Sequence, residues 1–326
     1  MYTQFYNLRE EPFRLTPDPR FLHLAEPHRI ALGVMLQSIL TRKGFIALTG
    51  PIGTGKTTLI HAALHLLAEN PAVKDKLSTA FIVNPTLTRE EFLEAVLDEF
   101  EITCASTSKP RRLAALHDVL LATQRKGGTT ILIVDEAHLL TNELLEEIRL
   151  LSNTDSYQEK LLQVILAGQP ELQSKLYHPN MKALLQRIAA NCNLRPLSLP
   201  ETRVYVMERL HAAGLREESP FSPTVLEKVF EFTTGVPRLI NLLCDGSLTI
   251  GFNQKKLQID APIVEEAAGK LNLLAEQAEV QAQTRAAEIA AGGKRDMLPA
   301  STEGDIRTAV DLLISAMKQN RVLARE

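Results

Sequence analysis

Two clusters of residues in this 326-residue chain are of the types that handle phosphate. The first is TGPIGTGKTT, residues 49–58, which fits G-x-x-x-x-G-K-[ST] through Gly50, Gly55, Lys56 and Thr57. Pro51, Ile52, Gly53 and Thr54 fill the loop, and Thr58 follows it. Glycines let such a backbone wrap tightly, so that successive N–H groups point inward at phosphate oxygens. A helix starting at the lysine adds about half a positive charge facing the anion. Lys56 is expected to reach the β- and γ-phosphates of a bound triphosphate, and Thr57 to set its hydroxyl on Mg²⁺. The second cluster is TTILIVDEAHLL, residues 129–140. Ile131 to Val134 read as a strand buried on both faces, and Asp135 and Glu136 follow at once. An unpaired buried carboxylate costs on the order of several kcal/mol. A divalent cation removes that cost, so Asp135 is expected to face the Mg²⁺ held by Thr57, through a water. Glu136, on the other side of the strand path, would polarise a water for in-line attack on the γ-phosphate.

Three further positions complete such a site. A strand between the phosphate-loop strand and the acid strand should end in a polar residue near the attacking water. VILAGQPEL (164–172) supplies Gln169, although Pro170 behind it also suits a helix cap or turn. LLQRIAANCNLRPL places Arg187 just before the last strand, where it would face the nucleotide of a neighbouring subunit. Arg195 and Arg203 are its rivals, and a surface salt bridge is the plain alternative. TTGVPRLINLL (233–243) puts Arg238 in the first turn of a helix. A cation there opposes the helix dipole, which points to an external anionic partner, the γ-phosphate. The sequence DEAH invites comparison with helicases carrying those four residues. Only helices are expected after residue 200, which argues against that reading, and His138 reads as a structural residue after the strand.

The elements that must position these groups alternate. Strands are expected at 45–50, 79–84, 129–135, 161–168 and 188–197. Helices are expected from Pro27 to Arg42 and at 56–70, 89–101, 110–125 and 142–151. Apolar runs alternating with amphipathic helices predict an α/β fold, a five-stranded parallel sheet with helices on both faces. After Pro200 four helices are expected, at 201–213, 222–233, 237–251 and 262–274, forming an all-helical lid. The expected divisions are an extended arm over 1–25, the α/β nucleotide-binding core over 26–197, the helical lid over 198–275 and a tail over 276–326. Pro12, Pro17 and Pro19 keep helix out of the arm, which Phe5, Phe13 and Phe21 would pin. In the tail, 292–305 reads as a flexible linker, and Ile306, Ala309, Val310, Leu313, Ile314 and Met317 share one face of a terminal helix. That face would dock on a partner, on the lid or on a neighbouring subunit.

Bulk properties narrow the class. With 45% hydrophobic and 23% charged residues, the chain is of soluble globular type. A net charge of −3 makes no global case for nucleic-acid binding. Lys182, Arg187, Lys255 and Lys256 are the candidates for a local basic surface. Cys104, Cys192 and Cys244 are far apart and match no metal spacing, which suits a reducing cytoplasmic setting. No apolar leader and no run of about 18 apolar residues is present. Attachment to an inner membrane would therefore go through a partner.

Taken together, GPIGTGKT, ILIVDEAH, LAGQPEL and the later GVPR resemble the AAA+ ATPases. The start, FYNLREEPFRLTPDPRFLHL, with its PF-x-L-TPDP-x-F pattern, and GFIALTGPIGTGKTTL are similar to the ExeA/GspA type of bacterial secretion, pilus and exopolysaccharide systems. The resemblance covers about residues 1–270. Transposition regulators such as TnsC and TniB share the architecture. By position it implies that Lys56 and Thr57 bind phosphate and Mg²⁺, Asp135 holds the metal and Glu136 is the catalytic base. Gln169 and Arg238 fall at the first and second sensor positions, and Arg187 at the finger. It implies ATP hydrolysis in a self-associated ring or filament acting on a protein assembly. The alternative is an ATP-gated regulator bound to duplex DNA. ExeA/GspA proteins usually continue into a membrane helix and a peptidoglycan-binding region; neither is legible in these 326 residues, so the ATPase module is what the resemblance carries.

Overall fold

The computed structural model describes residues 1–15, 25–70, 73, 76–83, 85–152 and 160–273. The tail helix and linker, Phe21, Pro17 and Pro19 lie outside these. Contacts divide the chain into two units, one gathering 1–27, 51–58 and 195–286, the other 28–50, 59–194 and 287–326.

The second unit is built on five strands, β1 (Phe45–Thr49), β2 (Leu77–Ile82), β3 (Thr129–Val134), β4 (Leu162–Gly168) and β5 (Ile188–Asn193). They pair in parallel in the order β2-β3-β4-β1-β5. The α/β parallel sheet read from the sequence is therefore present. β1, β3 and β4 are buried along their whole length, as uninterrupted apolar runs in a parallel sheet require. Because all strands run the same way, their C-terminal ends share one edge, and β4 lies between β3 and β1.

Two strands differ from expectation by two residues or more, both because of pairing. β2 starts and stops two residues early, since Leu77 to Ile82 pair with Thr129 to Val134. β5 stops at Asn193, opposite Thr49, the last residue of β1, and Pro196 beyond it has no N–H to donate.

Helix α2 (Glu26–Leu40) precedes β1, and α3 (Lys56–Glu69), α4 (Arg89–Glu99), α5 (Lys109–Arg125), α6 (Asn142–Leu151), α7 (Pro170–Leu176) and α8 (Lys182–Leu185) occupy the stretches between strands. α3 begins in the first unit and continues in the second. Thr88 opens α4 with a reciprocal capping box to Glu91, and Thr141 caps α6 through Leu144 N–H. Leu116, Leu120, Phe92, Leu144 and Ile148 pack with the strand residues into one core.

The helical unit contains α9 (Leu199–Ala212), α10 (Pro223–Thr233), α11 (Pro237–Asn253) and α12 (Ala261–Lys270). Its core also takes in the N-terminal arm, through buried Tyr6, Leu8 and Phe13. The expectation of a helix-free arm is corrected at its start, where α1 spans Tyr2–Phe5. The prolines begin at residue 12, too far along to forbid a turn of helix there. The Phe13 ring meets Phe221 edge-on at 6.3 Å.

One buried cation straps the arm down. Arg209, 8% exposed, donates from Nε to the Pro12 carbonyl (2.7 Å) and from Nη2 to the Arg14 carbonyl (3.0 Å). Its Nη1 donates to the Tyr205 hydroxyl (3.0 Å), which donates to Asn241 Oδ1 on α11 (3.0 Å). Every nitrogen of the guanidinium thus has an oxygen, the condition under which a buried charge is tolerated.

The cysteines are unbridged. Burial pushes the Cys192 thiol up to about 12 and raises that of Cys244 as well, while Cys104 is half-buried.

Candidate nucleotide site

The phosphate loop leaves the end of β1 and opens α3, as a strand-to-helix anion cradle must. Gly50 N–H donates to the Gly168 carbonyl at the end of β4 (3.3 Å). Gly53 and Gly55 have φ of +77° and +93°, the region open to glycine. Thr54 is fully buried, its hydroxyl donating to the Pro51 carbonyl (2.8 Å). Lys56 is 7% exposed, and its Nζ donates to the same carbonyl (3.0 Å). Ile52 at the loop tip is exposed.

Within the same unit, the first turn of α11 rests on this loop. Arg238 N–H donates to the Gly53 carbonyl (3.2 Å). A Cβ at Gly53 would lie 2.9 Å from Arg238 Cβ and 3.0 Å from Val236 Cγ1. Gly235, at φ +78°, would place a Cβ 1.8 Å from the Leu197 carbonyl oxygen, while Leu197 N–H donates to the Gly235 carbonyl (2.8 Å). Only glycine fits there, and Pro237 then starts the helix. The Arg238 side chain is exposed.

At the end of β3, Asp135 is 5% exposed, and its N–H donates to the Ile82 carbonyl (2.9 Å). Its Oδ1 accepts the Glu136 N–H (2.9 Å). Glu136 adopts a left-handed φ of +51°, and a 3₁₀ turn follows at Ala137–Leu139. Such a conformation is uncommon outside glycine and gathers at functional sites. The chain doubles back, and His138 Nδ1 stands 3.3 Å from Glu136 Oε2.

Gln169 occupies the N-cap position of α7, yet its side chain makes no cap bond. Its Nε2 lies 3.0 Å from His138 Nε2. The structure thus brings Glu136 and Gln169 to one imidazole, a link the sequence reading missed by treating His138 as structural. Residues 31 apart carry no periodic signal of it; only the neighbouring positions of β3 and β4 do.

The three arginines differ. Arg187 Nη1 donates to neutral oxygens, Ser152 Oγ (3.0 Å) and the Arg149 carbonyl (3.3 Å). Arg195 forms a two-pronged pair with Glu201 (2.7 and 2.9 Å), holding that carboxyl down at about 2. Arg203 pairs with Glu227 (2.6 Å). Of the basic candidates, Lys182 and Arg187 belong to the sheet unit and Lys255 and Lys256 to the helical one; Lys256 pairs with Asp260 (2.6 Å).

The Thr57 hydroxyl and the Asp135 carboxylate are hard oxygen donors, the kind Mg²⁺ takes while keeping several waters. Among the described residues, no group of three or more His, Cys, Asp or Glu side chains gathers into an all-protein metal site.

A parallel sheet with a phosphate loop after β1, acids after β3 and a helical unit touching the loop through α11 defines the class: an AAA+ P-loop protein. Residues 39–176 match the family described as an AAA domain, a family of nucleotide-binding ATPases. Within it the chain is similar to general secretion pathway protein A. It is 40% identical over 253 residues to General secretion pathway protein A of Aeromonas hydrophila, covering 77% of this chain and 45% of that protein. It is 29% identical over 148 residues to an uncharacterized HTH-type transcriptional regulator of Methanocaldococcus jannaschii, covering 44% of this chain and 35% of the other. The chain therefore spans less than half the length of either relative.

Among solved structures, it resembles Cdc6p from Pyrobaculum aerophilum (TM-score 0.61, 15% identity, 95% of this chain and 89% of that one). It also resembles Drosophila ORC, solved bound to DNA (TM-score 0.62, 18% identity, 99% and 82%). At such identities the likeness concerns the fold. No helix among the described residues is long and apolar enough to cross a membrane.

Proposed function

We propose that this chain binds ATP with Mg²⁺ and hydrolyses it to ADP and phosphate at an interface between copies of itself. The cycle would drive or gate a macromolecular assembly of the secretion, pilus or exopolysaccharide-export kind. The observation that carries this reading is the seating of the Arg238 turn on the phosphate loop at Gly53. A cation in a first helical turn is out of place electrostatically unless an anion lies before it.

In this reading backbone N–H groups drawn from residues 52–58 and the Lys56 ammonium hold the β- and γ-phosphates. Thr57 and Asp135 would hold Mg²⁺, which when bound neutralises charge on the phosphate oxygens. Glu136 takes the proton of the attacking water, and Gln169 orients that water against the γ-phosphate. Arg238 reports the γ-phosphate to α11. Arg187 is the preferred finger toward a neighbouring copy, because Arg195 and Arg203 would each have to give up a carboxylate.

Steady-state hydrolysis tests the core of this. Glu136→Gln is expected to abolish turnover while ATP stays bound, and Lys56→Ala to lose binding. Equal turnover in wild type and Glu136→Gln would remove Glu136 from the mechanism.

A second reading, ATP-gated binding of duplex DNA, draws on the other edge of the sheet. Lys43, Lys76, Lys126 and Lys160 stand just before β1, β2, β3 and β4. Binding that falls steeply with salt and needs ATP would favour it; no affinity for DNA at low salt would end it.

A further inference from the structure

The function proposed above assigns Glu136 and Gln169 separate tasks and gives His138 none. The geometry points to His138 as the residue that aims Glu136 and ties its aim to Gln169, an inference that rests on Glu136 being the base. The ring is 12% exposed and sits between the two side chains, 3.3 Å from Glu136 Oε2 and 3.0 Å from Gln169 Nε2. One neutral tautomer serves both. A proton on Nδ1 would face the carboxylate across 3.3 Å, an electrostatic contact and not a formed hydrogen bond, while Nε2 accepts from the Gln169 amide. The Gln169 backbone N–H competes for Nδ1, which it reaches as a donor at a long 3.5 Å; that bond and a proton on Nδ1 exclude each other.

The turn that carries the ring is held from two sides. Lys175 Nζ donates to the carbonyls of His138 and Leu140. Gly168 lacks the Cβ that would come within 3.0 Å of His138 N. The ring is therefore placed by β4 and α7, the elements that also place Gln169. Glu136 is held differently: Oε2 is buried with no formed hydrogen bond and with the imidazole 3.3 Å away, while the side chain as a whole is 45% exposed. A half-exposed carboxylate on a left-handed residue has rotamers to spare, and one oriented oxygen removes most of them. The base is thereby pre-aimed from its second atom, leaving Oε1 for the water. When Gln169 turns to a γ-phosphate, the partner of Nε2 changes, and the hold on Glu136 changes with it.

In this inference His138 is a positioning residue, acting through Glu136 and Gln169. The test uses the full chain, ATP and Mg²⁺. His138→Phe is expected to lower kcat on the order of 10²-fold, the scale of a misaimed reacting group. KM for ATP and the unfolding midpoint stay unchanged. His138→Gln, whose amide can donate to one neighbour and accept from the other, recovers most of that loss. In the His138→Phe background, Gln169→Ala adds less loss than it does alone.

Turnover within threefold of wild type in His138→Phe overturns the inference. So does a loss carried by KM, or fully independent effects at 138 and 169. Should His138→Phe fail to fold, His138→Leu carries the same expectation. Full turnover in Glu136→Gln instead sinks the underlying assignment of the base. An inactive Glu136→Gln beside a normal His138→Phe sinks only the role given to His138.

Discussion

Arg209 and Arg238 belong to the same helical unit and have opposite surroundings. Arg209 is buried, and its nitrogens meet three oxygens, two of them carbonyls of the N-terminal arm. Arg238 stands exposed in the first turn of α11, where its backbone touches the phosphate loop. One cation is spent inside the fold, and the other is kept available at its surface. The difference separates an arginine that makes the structure from one that the proposed function would use.

The sharpest way to break this contrast is to exchange the expected losses. Arg209→Met keeps an apolar stem and leaves the Pro12 and Arg14 carbonyls and the Tyr205 hydroxyl without their donor. It is expected to cost about 3–5 kcal/mol of stability, as removal of a buried, fully bonded charge does. Denaturant unfolding reads that loss, and ATP affinity of the folded fraction should stay within about twofold. A stable Arg209→Met protein would show the strap to be dispensable.

Arg238→Ala should do the reverse. Turnover is expected to fall on the order of 10²-fold, the scale of one lost donor to developing charge, with the unfolding midpoint unmoved. A fall in stability without a fall in turnover would make Arg238 a second Arg209.

Tyr205→Phe sharpens the buried side of the comparison. It removes the oxygen that accepts from Arg209 and donates to Asn241. A cost of about 1–2 kcal/mol is expected, smaller than at Arg209 because both arm carbonyls keep their donors.

The smallest effect belongs to a third arginine. Arg195 is half-exposed and holds the Glu201 carboxyl at about 2, chiefly through the hydrogen bond between them, with Ser198 helping. A depressed carboxyl contributes stability above its unfolded value of about 4.3 and loses it as pH falls toward 2. Unfolding midpoints measured between pH 5 and pH 2.5 should drop less in Glu201→Gln than in wild type. Equal slopes would show this surface pair to contribute nothing.

Much of the scaffold was legible beforehand because its signals are local. Five apolar runs gave five strands, and the helix starts expected at 89, 142 and 237 are those observed. The position of β4 between β3 and β1 followed from asking where a residue like Gln169 would have to stand. What escaped was set by distant chain. β2 and β5 end where their partners end, which no property of 79–84 or 188–197 announces. The short helices α7 and α8 fill a loop too brief for a periodic pattern. The setting of Arg209 depends on carbonyls nearly two hundred residues earlier, and a carbonyl leaves no trace in residue type. His138 was read in isolation because its two neighbours come from different strand ends.

The three thiols give the molecule an unplanned handle. Cys192 and Cys244 are sealed in, and burial holds both sulfurs protonated at neutral pH. Cys104 alone among them is within reach of solvent, in the segment between α4 and α5. A maleimide dye added to the unaltered chain would therefore attach at one defined point. Fluorescence from that point could follow nucleotide binding in real time, without a cysteine having to be engineered in or out.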